Sequence, residues 1–100
     1  MDGDIRIIRA EFYSIANDVF QTTYRSFRKD VSSMDRNTNE NVHQMAMSKY
    51  SNQLRRTLEH EANALIARCQ GIGVRHELST ALVDTIRFFH DEFLRKADEI

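Results

Sequence analysis

The sequence predicts an all-α domain: an antiparallel, up-down-up three-helix bundle of long helices, able to pair into a six-helix assembly. Three observations predict it. The 100 residues include no proline, and the three glycines, Gly3, Gly71 and Gly73, fall at the start and in one short segment, so almost nothing breaks a helix elsewhere. Apolar residues recur in steps of three and four, and no segment alternates for long with the period of two that a strand requires. The two breaks between periodic segments, "MDRNTNE" and "GIGV", are short enough to set consecutive helices antiparallel.

The first helix is expected over residues 4–33, with Asp4 as its N-cap. At about 100° per residue, Ile8, Phe12, Ile15, Ala16, Val19, Phe20, Thr23, Tyr24, Phe27 and Val31 share one half of the helix, and Glu11, Ser14, Asp18, Gln21, Arg25, Arg28 and Lys29 the other. The spacing alternates three and four as far as Val19 and then steps by fours, which suits globular packing better than a long coiled coil.

The second helix is expected over residues 38–70, capped by Thr38, with Glu40 complementing the positive end of the helix dipole and Gly71 as a left-handed C-cap. Its stripe is narrower: Met47, Tyr50, Leu54, Leu58, Ala62, Leu65, Ile66 and Cys69. The third is expected over residues 75–98, where Leu78, Leu82, Ile86, Phe89, Phe93, Ala97 and Ile100 align and Val83 and Leu94 widen the face. Helices of this size are about 40 Å long. The whole chain, residues 1–100, reads as one domain without internal repeats.

Composition narrows the functional classes. Hydrophobic residues make up 41% and charged residues 29%, which belongs to a folding chain rather than a disordered one. Fourteen Lys and Arg against 15 Asp and Glu give a formal net charge of -1, so no global field draws the molecule to nucleic acid or anionic lipid. No apolar run approaches the roughly 18 residues of a membrane span. The one cysteine, Cys69, has no internal disulfide partner, and Asp2, Asp4 and Arg9 do not fit a signal peptide, so the expected location is cytoplasmic.

The stretch "MDRNTNENVH", residues 34–43, concentrates the chemistry-bearing side chains. Arg36-Asn37 followed by His43 resembles the Arg, polar residue, spaced His motif of the HEPN family, helical domains in which paired motifs in a dimer cleave RNA. The resemblance implies that His43 would move the 2′-hydroxyl proton and Arg36 would stabilise the charged phosphate. It covers fewer than ten residues, roughly one such match arises by chance in a chain this rich in arginine, and Gln44 and Met45 follow His43 where the family commonly places an aromatic. The same residues read more simply as a solvated link and first helical turn.

Other constellations are incomplete. Glu40-x-x-His43 is half of a di-metal bundle motif, but Thr57 precedes His60 and Arg87 precedes His90 at the matching positions. Glu59-His60-Glu61 points its side chains in different directions, so neither metal nor cofactor is expected. The segment "CQGIGVRHELSTALVDTIRFFHDEF" is loosely similar to the last turn and helix of helical chorismate mutases, yet lysine occurs only at Lys29, Lys49 and Lys96, none of them in the link after helix one where that family keeps its own. Arg25, Arg28 and Lys29, with Arg55, Arg56 and Arg68, form modest basic clusters interrupted by Asp30, Glu59 and Glu61. Cys69, on the apolar stripe, reads as a buried inert thiol, and His60 and His90 as surface groups. These patterns lean against an enzyme.

What remains is a surplus of apolar surface. Helix one is apolar over roughly 180°, wider than one side of a core requires, and carries five of the nine aromatics: Phe12, Tyr13, Phe20, Tyr24 and Phe27. Phe88 projects from the polar side of helix three that holds Asp84, Arg95 and Glu99, and Ile7 stands among polar positions. The expectation is a protein that acts by protein-protein interaction, as adaptor, regulator or inhibitor, in homodimeric form, with Phe88, Ile7, Tyr13, Tyr24 and Arg95 as contact residues. The alternative is nucleic-acid binding, or an HEPN-like ribonuclease using Arg36 and His43.

Overall fold

The computed structural model describes residues 2–69 and 71–100, with side chains from residue 5 onward except at 70 and 72. Three α-helices account for nearly all of it: α1 (Asp2–Val31), α2 (Glu40–Ala67) and α3 (Ile72–Asp98). Each packs against both of the others, and together they form a rod of 54 × 18 × 17 Å. No strand occurs among the described residues. The all-α, three-helix architecture thus follows directly from the period of the apolar residues and the absence of proline.

The boundaries differ in informative ways. α1 already includes Asp2, so Asp4 lies inside its first turn and does not cap it; the Asp4 side chain lies outside the described ones. The N-cap of α2 is Asn39, with no side-chain cap bond, because the polar groups ahead of it serve a turn. The Asp35 carboxylate accepts the Asn37 N–H at 3.0 Å, and the Asp35 carbonyl accepts the N–H groups of Thr38 and Asn39 at 3.1 and 2.9 Å. The Thr38 hydroxyl bonds the same carbonyl. Asx-type turns of this kind are the usual alternative use of such side chains.

At the other link, α2 stops at Ala67, and Arg68 and Cys69 close it with bonds to the carbonyls of Leu65 and Ile66 at 3.1 and 3.0 Å. Gly71 is therefore not the C-cap of α2. It is the N-cap of α3, at φ 94° and ψ 131°, a conformation open to glycine alone at little cost. α3 therefore starts at Ile72 rather than at Arg75. The Arg75 side chain donates to the Cys69 carbonyl at 2.9 Å and satisfies the frayed end of α2.

The core runs the length of the rod. Phe12, Phe27, Leu54, Leu58, Leu78, Leu82 and Phe93 are completely enclosed. Phe27 is its aromatic hub near one end, in edge-on contact with His43, Tyr50 and Phe93 at centroid distances of 5.6, 6.0 and 5.6 Å. Most of the width of α1 is consumed inside the molecule: Phe12, Ala16, Phe20, Thr23, Phe27 and Val31 are buried, while Ile8, Ile15, Val19 and Tyr24 pack partly buried against the core. Cys69 is buried, with its sulfur 3.7 Å from the Leu65 carbonyl oxygen.

Candidate functional site

Two places gather the side chains singled out by sequence: the Arg36/His43 end of the rod, and the seam between α1 and α3.

His43 is not a solvated residue. Its ring is 2% exposed, lies edge-on to Phe27, and its Nε2 donates to the Ala97 carbonyl at 3.2 Å, which places the proton on Nε2. Arg36 is held as firmly. Its Nε and one terminal nitrogen bond the Glu40 carboxylate at 2.8 and 3.3 Å, while its terminal nitrogens reach the Asp98 carboxylate, at 2.7 Å, and the Asp98 backbone carbonyl.

The expectation of a solvated link and first helical turn therefore holds for Asp35, Asn37, Thr38, Asn39 and Glu40, which are exposed, and is corrected at the buried His43 and the half-buried Arg36. Residues 36 and 43 tie the first link and the start of α2 to the last turn of α3, where two side-chain donors also meet carbonyls at the negative end of the helix. Glu40 is hydrogen-bonded first by Arg36 and then by Gln44, and these bonds hold its carboxyl at about 2 against an ordinary 4.5. The same contacts hold the Arg36 guanidinium above its ordinary range. An enclosed imidazole whose Nε2 is committed to a carbonyl has no path to a 2′-hydroxyl, so the ribonuclease arrangement lacks its base.

The seam between α1 and α3 is different. Tyr13 and Phe88 are 51% and 52% exposed, and both rings lean on the buried ring of Phe89, each with a centroid distance of 5.2 Å. Further along, Tyr24 stacks on Phe20 at 6.1 Å, with Lys96 and Arg28 over its face at 5.5 and 6.0 Å. Arg95 pairs with Glu92 and, at 2.8 Å, with Glu99; its hydrogen bond holds the Glu92 carboxyl below its ordinary value. Four of the five expected contact residues, Tyr13, Tyr24, Phe88 and Arg95, thus border one seam.

Ile7 does not join them. It is 67% exposed, but six residues of helix rotate it about 120° away from Tyr13, onto the side of Glu11 and Asp18. Two residues that sequence reasoning passed over, Phe89 and Lys96, are the platform and the edge of the seam. The only signal for Phe89 was its place on the α3 core stripe.

The basic clusters are largely dispersed. Arg55 pairs with Glu59 at 3.7 Å and Arg68 with Glu11 at 3.2 Å, while Arg56 and Lys49 border a shallow hollow on α2 with Asn52, Gln53 and Thr57. His90 lies 3.8 Å from the Asp91 carboxylate at the surface. Between α2 and α3, Ile66, Val83 and Ile86 line an open cleft of about 260 Å³. Among the described residues no group of three potential metal ligands converges, and no helix is long and apolar enough to cross a membrane. Compared with known proteins, the chain matches no family model, no curated protein and no solved structure.

Proposed function

We propose that this chain works by binding protein, as an adaptor, regulator or inhibitor, that it acts as a homodimer, and that the α1–α3 seam is its contact face. The observation that carries the reading is the pair Tyr13 and Phe88: two large rings from different helices, each half-exposed, converging on Phe89. Scattered single apolar residues are ordinary on a surface, but adjacent aromatics on a rigid platform lose little side-chain entropy on contact and are the residue types that anchor interfaces. Arg95 beside them supplies a polar rim held in place by two carboxylates.

The test is light scattering on the wild type and on Phe88→Asp, together with recovery of bound protein from the source cell. The wild type should scatter as twice its 11.7 kDa chain mass, and the variant as a monomer with an unchanged helical circular dichroism spectrum, because a carboxylate at a desolvated contact has no partner. A monomeric wild type that behaves like Phe88→Asp and recovers no protein would overturn the reading.

A further inference from the structure

The two borders of the seam carry opposite charge. On the flank of α1 that turns toward α3, helical geometry places Arg6, Tyr13, Tyr24 and Arg28, with Asp2, at the start of the helix, as the one acidic position. On the facing flank of α3 it places Glu77, Asp84, Glu92 and Glu99 around Phe88, an acidic excess over the two cations there: Arg95, shared between Glu92 and Glu99, and Lys96, which lies over the Phe20 and Tyr24 rings. α1 and α3 run in the same direction, with Tyr13 beside Phe89 and Tyr24 beside Phe93 and Lys96. At a common rise per residue, Arg6 then stands level with Glu77 and Arg28 level with Glu99, one pair toward each end and Phe88 near the midpoint.

A second copy laid face to face on this seam has two closed two-fold arrangements. With the axis across the helices, the copies are antiparallel and α1 meets α1 while α3 meets α3. Turning about Phe88, that arrangement sets Arg6 on Arg28 and Glu77 on Glu99, like charge on like charge at both ends. With the axis along the helices, the copies are parallel and each α1 lies over the other's α3. Arg6 then meets Glu77, Arg28 meets Glu99, and Tyr13 comes beside Phe88, twice over by symmetry.

We propose that the occupant of the seam is a second copy of this chain in the parallel arrangement, α1 against α3. The inference rests on the homodimer reading above and adds its orientation. Charge at an exposed rim contributes modestly to affinity but decides register and partner, because the wrong juxtaposition is repulsive.

The experiment uses the full chain and two readouts. Arg6→Glu and Glu77→Arg should each weaken the dimer by about tenfold in light scattering, and the double variant should recover the wild-type association. For orientation, Arg28→Cys protein is mixed with Glu99→Cys protein and treated with a bis-maleimide spanning about 10 Å, the spacing of packed helices; Cys69 is buried in the core. A covalent heterodimer is the expected product. A cross-link between Glu77→Cys and Glu99→Cys instead would overturn the parallel arrangement in favour of the antiparallel one. A wild-type dimer that gives neither cross-link and ignores both charge reversals uses another face, which overturns the inference and leaves the homodimer standing. A wild type that remains monomeric removes the homodimer itself.

Discussion

Replacing His43 with alanine empties a site that the rest of the molecule cannot readily refill. The ring is 2% exposed and touches the enclosed Phe27, so the loss includes its buried contacts, the edge-on aromatic interaction and the cavity left behind. Large-to-alanine changes at such sites cost about 2–4 kcal/mol, of which the aromatic contact supplies about 0.5–1.5. The hydrogen bond adds less, because the Ala97 carbonyl still receives the Ile100 N–H at 3.3 Å and is not left unpaired. His43→Leu keeps the volume and should cost only about 1 kcal/mol. Urea titration followed by circular dichroism measures both, and thermal melting should place His43→Ala roughly 10–30 °C below the wild type. A His43→Ala protein within about 0.5 kcal/mol of wild type, the range of ordinary surface substitutions, would refute the enclosed position of this residue and return it to a solvated link.

Gly71→Ala should destabilise by about 1–2 kcal/mol in denaturant titration, since φ is 94° and nothing stands within 4 Å of an added Cβ, leaving backbone strain as the cause. Gly73→Ala, also in open space but inside α3, should instead stabilise by about 0.5–1 kcal/mol. The Glu40 carboxyl, depressed to about 2, contributes stability that is present above its ordinary 4.5 and lost as pH falls through about 2; a nuclear magnetic resonance titration should find it there, and Arg36→Ala should return it toward 4.5. Tyr50→Phe should cost about 1–2 kcal/mol in urea titration, because its hydroxyl donates to the Asp30 carboxylate. That bond and burial raise the Tyr50 pKa, so its contribution is complete below about pH 10 and disappears at higher pH; the spectroscopic titration of Tyr50 should move down in Asp30→Asn.

The helices were legible because each carries its own evidence. Phe12, Phe20 and Phe27 on α1 and Leu54, Leu58 and Leu65 on α2 follow the helical period, and all of them are buried. Their ends were less legible, since Asp35, Thr38 and Asn39 are equally good caps and turn formers, and only the path of the chain decides which role they take. His43 stands one turn before Met47 on the α2 stripe, so continuing that stripe backward would have placed it in the core. Its polarity outweighed its position. Arg36 left a local trace in its spacing to Glu40, but its bonds to Asp98 join residues 62 positions apart, and no local pattern encodes them. Phe88 was legible as an exposed ring, whereas its nearness to Tyr13 depended on how α1 and α3 turn toward each other.

The bonds from Arg36 to Asp98 and from His43 to Ala97 also bear on the order of events during synthesis. The hairpin of α1 and α2 leaves the ribosome first, with Phe20 and Phe27 lacking the α3 rings that cover them. Its first link has no anchor until residues 97 and 98 have been added. The nascent hairpin therefore leaves part of its aromatic surface uncovered and is not a finished half of the domain. Closure awaits the end of α3, and a ribosome stalled within that helix would hold out a substrate for chaperones.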